Sequence, residues 1–592
     1  MYRAPVSDIA FTLKHVAGLG DALAAGAFPE VSEDVLDAVL AEAGRFASEE
    51  MAPLQTIGDR EGARLEDGAV TTSKGWPDIY KTWCAGGWNG IAAPEAVGGQ
   101  GLPLMLSAAV QEMWNAACMS FALCPLLNMG AVEALGRHGS ERLKALYLPK
   151  IVSGEWTATM NLTEPQAGSD VGALRTRAEP AGDGSYRLFG QKIFITYGEH
   201  DLAENIVHLV LARLPGAPVG TKGISLFLVP KFLAGEDGDL GARNDVFCSG
   251  IEHKLGIHGS PTCTMIYGDG RFGEKPGALG FLIGEENRGL AAMFTMMNNA
   301  RLMIGVQGVG QAERALQQAS AFASERRQGR GPGASGDGAS PIAAHPDIRR
   351  TLIEMRSLTA AARSICYSCA FAADMAARSG EAKWQARVEL LTPVAKAFST
   401  DIAFEVASLG VQVHGGMGYI EETGAAQVLR DSRISSIYEG TNGIQAIDLV
   451  TRKLPRAGVV GEYINDLRET AEKARAVNRP DFGRMGSRVA AAIDDLDAAS
   501  GHLITLLGQG KNAEALAGAT PYLRLFGLAA GGAYLAKGAL ASITDAGPQA
   551  ARRIATARFA AECLLPETGA LRAEIIEGAE AVLAADPALW VE

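Results

Sequence analysis

Disulfide-forming, membrane-spanning and nucleic-acid-binding features are scarce in this sequence of 592 residues. Its eight cysteines are scattered along the chain, which argues against a disulfide framework and favours a reducing compartment. No stretch reaches about 18 consecutive apolar residues, so we expect no membrane span. The formal net charge is -13, and no basic cluster alternates with aromatic residues. We therefore expect no nucleic-acid partner.

Sorting signals are not evident at either end of the sequence. The first residues lack the basic start, apolar stretch and small-residue cleavage site of a secretory signal. The last three residues, Trp590-Val591-Glu592, are not a peroxisomal address. Together with the scattered cysteines, these ends lead us to expect a cytoplasmic protein.

Cys366 and Cys369 form a C-x-x-C pair, which is a common half-site for redox chemistry or zinc. No second pair lies at zinc-ligand spacing. We interpret the pair as two buried thiols on an alanine-rich helix, and we predict no metal site.

The residue pattern along the chain predicts an α+β multidomain protein. We assign residues 1–156 to an N-terminal helical domain, 157–275 to a middle β domain, 276–455 to a helical bundle and 456–592 to a C-terminal helical extension. Short β-branched or aromatic runs predict strands at 186–196, 205–213, 223–230 and 262–267. Apolar periodicity predicts helices at 33–46, 289–324, 346–378 and 381–410. This order is not the alternating strand and helix pattern of a dinucleotide-binding sheet.

Two glycine-rich runs resemble ligand loops. Gly305, Gly308 and Gly310 lie inside a helical pattern, so close helix packing is favoured over a nucleotide loop. The run 414–418 follows the end of a helix and carries consecutive glycines, which suits a backbone turn against a ligand. The run 160–170 is also a loop, since its Glu-Pro step disfavours helix and Ala-Gly-Ser-Asp favours turns. Composition alone leaves both an ordinary turn and a ligand loop open there.

Five segments, in the right order, resemble motifs of the acyl-CoA dehydrogenase family. They are LTEPQAGSD at 162–170, KIFIT at 192–196, the E-x-K-x-G-x-x-x-S-x-T run at 252–262, QVHGG at 412–416 and YEGT at 438–441. The resemblance covers residues from about 30 to 453. It implies the acyl-CoA dehydrogenase fold, with an N-terminal helical domain, a middle β-barrel-like domain and a C-terminal four-helix bundle, here followed by an extra C-terminal helical domain.

The resemblance also implies a bound FAD and an acyl-CoA substrate. The residues it places against FAD are Leu162, Thr163, Gly168, Ser169, Phe194, Thr196, Arg326, Gln412, Gly416 and Thr441. Three of these, Arg326, Gln412 and Gly416, would reach the FAD of a neighbouring subunit, which implies a homodimer or a dimer of dimers. Arg301, Tyr438 and Gly440 would contact the substrate. An electron-transfer flavoprotein would accept the electrons.

By the same resemblance, Glu439 is the catalytic base that removes the proton α to the thioester carbonyl. A carboxylate in a dry pocket has a raised pKa and is therefore more basic. Some relatives carry the base immediately before the position of Arg301, but Ala300 stands there and cannot accept a proton. The hydride from the β carbon would go to FAD.

The chain continues for about 135 residues beyond the core of the family, as its long members do. Segments at 2–16, 254–262 and 284–294 resemble bacterial members that act on 3-methylmercaptopropionyl-CoA in dimethylsulfoniopropionate breakdown. We thus expect oxidation of 3-(methylthio)propanoyl-CoA to 3-(methylthio)acryloyl-CoA. A general medium- or long-chain fatty acyl-CoA dehydrogenase of β-oxidation, an acyl-CoA oxidase and a non-catalytic assembly protein stay open as alternatives.

Overall fold

The computed structural model describes residues 2–235, 237–273, 275–334, 338–545, 547–586 and 588. The carboxyl-terminal Trp590-Val591-Glu592 lies outside the described residues. The chain forms two compact units. Unit 1 comprises Met1–Arg45, Leu104–Ala116 and Arg301–Glu592, and unit 2 comprises Phe46–Pro103 and Ala117–Ala300. The four-domain division drawn from the sequence remains a prediction.

Every strand among the described residues belongs to unit 2. In chain order they are β1 Arg64–Glu66, β2 Ala69–Thr71, β3 Trp156–Asn161, β4 Arg177–Pro180, β5 Tyr186–Thr196, β6 Asn205–Ala212, β7 Ser225–Pro230, β8 Phe232–Ala234, β9 Leu240–Arg243, β10 Val246–Ile251, β11 Thr262–Tyr267 and β12 Ala278–Ile283. Within the described residues the main sheet has the order β10-β11-β5-β12-β7-β6-β3, with β4 beside β5. Only β3 and β6 pair in parallel among these strands. The four strands predicted from the sequence are confirmed as β5, β6, β7 and β11.

One prediction in this unit was wrong. Residues before 155 were expected to be helical throughout, but β1 and β2 form an antiparallel hairpin there. Its turn is Asp67-Gly68, and both residues have a positive φ, 51° and 82°. An Asp-Gly pair is a strong hairpin signal because both residues tolerate this left-handed backbone. The signal was present in the sequence and outweighs the helical character of its surroundings.

Most of the chain is helical. The α-helices are, in chain order, α1 Val6–Phe11, α2 Leu19–Ala24, α3 Glu33–Arg45, α4 Leu54–Glu61, α5 Trp76–Ala85, α6 Leu104–His138, α7 Glu141–Ser153, α8 Gly289–Glu325, α9 Pro346–Ser379, α10 Ala382–His414, α11 Ala425–Ser432, α12 Asn442–Asp448, α13 Val459–Arg475, α14 Met485–Gly508, α15 Asn512–Ala517, α16 Ala519–Ala541, α17 Pro548–Phe559, α18 Glu567–Glu577 and α19 Ala579–Ala584. The predicted helices are confirmed as α3, α8, α9 and α10, although α10 runs four residues further than expected.

Helix α6 is unusually apolar. By length and composition alone it could cross a membrane, and it is the one such helix among the described residues. However, 89% of its most apolar 18-residue window is buried inside the protein. Burial in a protein core accounts for this composition, so the helix is weak evidence for a membrane span.

Close packing around α10 organises unit 1. A Cβ added at Gly308 on α8 would lie 2.6 Å from the Ser399 carbonyl oxygen, and one at Gly305 would meet the Ala395 carbonyl. The interpretation of these glycines as helix-packing residues is confirmed. On α9, the Cys366 thiol lies 3.3 Å from the Ser399 hydroxyl. Cys366 and its neighbour Cys369 are free and buried, as expected.

The C-terminal extension contacts α10 through α16. Gly527 on α16 faces the buried ring of Phe398, and a Cβ there would overlap the ring. Gly531 lies against Ala361 of α9 in the same way, with 2.7 Å between the added Cβ and the alanine Cβ. Small residues on α16 therefore allow it to approach the long helices closely.

We expect Gly527→Ala to destabilise the protein by about 1–3 kcal/mol, because the added methyl overpacks the contact with Phe398. Gly501→Ala is a matched control, since Gly501 lies in helix α14 with open space around its Cβ position. It should be neutral or stabilising by roughly 0.5–1 kcal/mol. Thermal unfolding of both variants tests this, and equal midpoints would contradict the close packing.

Candidate active site

Glu439 lies in the short loop that leads into α12. Both Glu439 and Gly440 have a positive φ, 57° and 86°. Such a backbone costs a residue other than glycine about 1–3 kcal/mol and persists only where the surroundings impose it. A Cβ at Gly440 would lie 2.7 Å from Nε2 of Gln445, and the positive φ of Gly440 itself disfavours a larger residue there. The loop is therefore a strained turn that presents the Glu439 side chain.

Lys396 of α10 donates hydrogen bonds to this turn and to the first residue of α12. Its side chain is fully buried, and its Nζ donates to the Gly440 carbonyl and to Oδ1 of Asn442, both at 2.8 Å. The Asn442 amide in turn donates to Oγ1 of Thr400 at 2.9 Å and to Oδ1 of Asp401 at 2.7 Å. The first residue of α12 is thus tied to α10 at several points.

Burial and the nearby positive charges have opposite effects on the pKa of Glu439. Burial raises the pKa of Glu439 to about 7, while the positive charges of Arg301 and Lys396 act to lower it. Burial lowers the pKa of Lys396 to about 7, against the opposite effect of Glu439 and Asp401. The Glu439 side chain is half-buried, so it remains within reach of a ligand. The arrangement can supply a carboxylate base at neutral pH.

The residues beside Glu439 have partners within the protein. The Tyr438 hydroxyl bonds to Gln307 of α8, and Gln307 donates to Oδ1 of Asn115 at 2.9 Å. The Thr441 hydroxyl accepts the backbone N–H of Ile444 at 3.2 Å and caps α12. Both side chains fix the loop, and their roles toward substrate and FAD remain predictions.

The segment expected to contact a flavin ring lies in unit 2. Its start is anchored by a buried ion pair, in which Lys192 Nζ donates to Glu164 Oε1 at 2.8 Å and to the Leu162 carbonyl at 3.0 Å. Backbone amides of Arg175 and Thr176 also donate to the Glu164 carboxylate. These contacts lower the pKa of Glu164 to about 2, against the opposing effect of burial, and keep it charged.

Phe194 is the most unusual residue of this segment. It has a φ of 60°, and the residue is 58% exposed although it follows the buried Lys192 by only two positions. Thr196, two positions later, and Thr163, whose carbonyl accepts the Ile193 N–H at 2.9 Å, are half-buried, and Gly168 and Ser169 are exposed. An exposed aromatic face with nearby hydroxyls and loop N–H groups suits a planar ring with polar edges. The residues present therefore fit the flavin of FAD.

The remaining predicted FAD contacts lie on the surface of unit 1. Arg326, Gln412 and Gly416 are exposed. The ring centroids of Phe322 and His414 lie 4.5 Å apart, so the ends of α8 and α10 meet in unit 1. Exposed apolar residues follow at once, namely Met417, Tyr419 and Ile420. A patch of this kind marks a surface for a ligand or partner.

Sequence reasoning missed the residues that hold the Glu439 loop. Lys396, Asn442 and Gln445 received no role. Lys396 could have been recognised from the apolar run Val394-Ala395-Lys396-Ala397-Phe398, which predicts that the lysine is buried. A buried lysine nearly always has charged or polar partners. Nothing comparable marked Asn442, whose partners on α10 lie 41 to 46 positions away, or Gln445, which donates to the carbonyls of Glu439 and Gly440.

The sequence matches known protein families along most of its length. Four family profiles match in succession: Acyl-CoA dehydrogenase, N-terminal domain at 34–155; Acyl-CoA dehydrogenase, middle domain at 159–269; Acyl-CoA dehydrogenase, C-terminal domain at 287–454; and Acetyl-CoA dehydrogenase C-terminal like at 463–586. The last profile covers the extension, for which the sequence offered no chemical motif.

Individual proteins show the same likeness. The 3-methylmercaptopropionyl-CoA dehydrogenase of Ruegeria pomeroyi is 45% identical over 599 residues, which cover 99% of each chain. A Bacillus anthracis structure described as an acyl-CoA dehydrogenase complexed with FAD has a TM-score of 0.74 at 23% identity and covers 95% of this chain and 90% of its own. A structure described as the electron transferring flavoprotein of Acidaminococcus fermentans has a TM-score of 0.58 at 27% identity and covers 71% of this chain and 97% of its own.

We expect Lys192→Met to destabilise the protein by about 3–5 kcal/mol and to lower its FAD content, because Glu164 is left as an uncompensated buried charge. Lys144→Met is the control, since Lys144 pairs with the exposed Glu141 and its loss should cost no more than about 1 kcal/mol. Thermal unfolding and flavin absorbance of the purified proteins test this. Equal values for the two variants would contradict an anchoring role for the Lys192–Glu164 pair.

Proposed function

The chain belongs to the acyl-CoA dehydrogenase family, and we propose that Glu439 is its catalytic base and 3-(methylthio)propanoyl-CoA its substrate. As a member of that family it is an FAD-dependent oxidoreductase that acts on acyl-CoA thioesters. The observation that carries the assignment of the base is the geometry of the Glu439 loop. A half-buried carboxylate with a raised pKa stands on a strained turn, and the charges of Arg301 and Lys396 act on it.

In the proposed reaction the Glu439 carboxylate takes the proton from the carbon α to the thioester carbonyl. The electron pair of that C–H bond forms the α,β double bond as a hydride leaves the β carbon. Bound FAD supplies the hydride acceptor. Arg301 and Lys396 keep the carboxylate ionised, and the turn at Gly440 fixes its direction. Because only the ionised form can accept the proton, activity should fall as pH drops below about 7.

The residues that we propose for FAD are those of the unit 2 segment and of the exposed surface of unit 1. Thr163, Ser169 and the Leu162 backbone would contact FAD, with Gly168 in the same loop, and Phe194 and Thr196 would lie beside its ring. We propose an FAD contact for Thr441 of unit 1 as well. We propose that Arg326, Gln412 and Gly416 reach the FAD of a second subunit in a homodimer or a dimer of dimers. The exposed Tyr419 and its apolar neighbours support such an interface.

The same proposal covers the electron acceptor and the compartment. The likeness to the structure described as the electron transferring flavoprotein of Acidaminococcus fermentans supports an electron-transfer flavoprotein as the electron acceptor. A cytoplasmic location is supported by the cysteines, which are all free in the described residues.

The proposed substrate rests on the relative in Ruegeria pomeroyi, which matches along the full chain. The chemistry of a thioether supports it further. In 3-(methylthio)propanoyl-CoA the sulfur is bonded to the β carbon, so its lone pair assists departure of the hydride. The product then conjugates sulfur with the enoyl thioester. Pentanoyl-CoA has the same chain length with CH2 in place of sulfur, and it is therefore the sharpest comparison.

We expect Glu439→Gln to retain FAD and the wild-type unfolding temperature but to lose flavin bleaching by substrate under anaerobic conditions. The amide has nearly the same shape but cannot accept the α-proton. Glu422→Gln, at an exposed position of the same unit, serves as the control and should bleach normally. Bleaching of the Glu439→Gln variant at the parent rate would refute the assignment of the base.

We expect the highest kcat/KM with 3-(methylthio)propanoyl-CoA in a panel that also contains pentanoyl-, octanoyl- and palmitoyl-CoA. Anaerobic bleaching of each substrate with the purified protein measures the preference. A higher kcat/KM with pentanoyl-CoA would reject the thioether and leave a short-chain alkyl substrate. A higher value with octanoyl- or palmitoyl-CoA would favour a general fatty acyl-CoA dehydrogenase.

A further inference from the structure

We propose that Lys396 is the positioning residue of the base, and that it acts in two separable ways. Its N–H groups hold the Gly440 carbonyl and Asn442, and its positive charge keeps the Glu439 carboxylate ionised. The inference rests on the proposed function, because it takes Glu439 as the base. It concerns a residue that need not touch the substrate.

The hydrogen bonds of Lys396 reach both sides of the strained turn. One goes to Gly440, the residue after the base, and the other to Asn442, the first residue of α12. The left-handed backbone of Glu439 and Gly440 needs such an external restraint, because it is unfavourable by itself for a glutamate. Gln445 adds a weaker contact, with Nε2 3.3 Å from the Glu439 carbonyl oxygen.

The lysine is itself held rigidly. Gly305 and Gly308 of α8 approach the backbone of Ala395 and Ser399, so the turn of α10 that carries Lys396 cannot shift toward α8. Gly527 of α16 fits against Phe398 on the same stretch. The ammonium therefore has a fixed position next to the loop, whereas a flexible surface lysine would not.

The charges that face this pair come from several helices. Glu439 is influenced by Arg301 of α8 and by Lys396 of α10. Lys396 is influenced by Glu439, Arg301 and Asp401. Farther out, Asp448 and Arg452 act on Arg301, while Arg433 and Arg524 act on Asp401. Lys396 also bonds to the loop, so its removal changes both charge and geometry.

Three substitutions separate the two roles. Lys396→Gln keeps an N–H donor and removes the charge, Lys396→Arg keeps the charge, and Lys396→Met removes both. Lys537→Met is the matched control, because Lys537 is a half-buried lysine of α16 that donates to the Val16 carbonyl at 2.8 Å. The readouts are the pH profile of kcat/KM, the rate of anaerobic flavin bleaching, FAD absorbance and thermal unfolding.

An opposite charge nearby lowers the pKa of a carboxylate by about 1–3 units. Loss of the lysine charge should therefore move the acid limb of the kcat/KM profile upward by about one pH unit or more in the Gln and Met variants. At pH 6 this amounts to a decrease of about tenfold or more relative to the parent. In the Arg variant the acid limb of the kcat/KM profile should stay within a few tenths of a pH unit of the parent. The Met variant should also unfold at a lower temperature than the Gln variant.

An unchanged acid limb in Lys396→Gln would overturn the role of the charge, and equal unfolding temperatures for Gln and Met would overturn the role of the hydrogen bond. An equal shift of the limb in Lys537→Met would show that any lost lysine has this effect, which also rejects the proposal. Should Lys396→Met fail to fold, the Gln and Arg variants still decide the role of the charge. The Glu439→Gln experiment tests the base separately. If that variant loses bleaching while the acid limb of the kcat/KM profile is unchanged in Lys396→Gln, only the role of Lys396 is rejected and Glu439 stands as the base.

Discussion

The cost of removing a carboxylate from water constrains the whole loop around Glu439. Burial makes the carboxylate more basic by raising its pKa to about 7, but it also favours the protonated form, which can accept nothing. Arg301 and Lys396 oppose that effect, so a large ionised fraction persists near neutral pH. The balance depends on distance, because the effect of each positive charge on the carboxylate weakens as the separation grows. It therefore requires that the turn, α8 and α10 have fixed positions within unit 1.

One stretch of α10, from Ala395 to Thr400, provides most of this fixation. Lys396 bonds the loop, Thr400 bonds Asn442, Ser399 meets the thiol of Cys366, and Phe398 receives Gly527 of α16. Glycines on α8 allow the close approach from one side, and the extension provides contact from another. The C-terminal extension thus contributes to the site through packing, although it carries no chemical motif. A shift of α10 would move the lysine and the loop together.

The sequence predicted features that depend on local patterns and missed those that depend on distant contacts. Strands β5 and β11 and the long helices were predicted because their period or their bounding turns are local. Strand β3 was missed although β6 and β7, which are buried along their whole length in the same way, were predicted. Its last two residues, Met160 and Asn161, were wrongly assigned to the loop at 160–170, whose turn signals follow at once. Glu439 was identified from its neighbours, Tyr438 and Gly440. Lys396 lies 43 positions before it, in a helix where a lysine normally faces solvent, and only the fold brings the two together.

The coupling between Glu439 and Lys396 also has a consequence for turnover. When Glu439 takes the α-proton it loses its charge, and the buried ammonium of Lys396 loses an anionic partner, while Asp401 stays nearby. The protonated state of the base is then unfavourable for the lysine as well, since a buried charge without compensation is costly. Release of the proton from Glu439 restores the pair. The same contact that keeps the base ionised before the reaction therefore favours its return to the ionised form afterward, and this requires no movement of the helices.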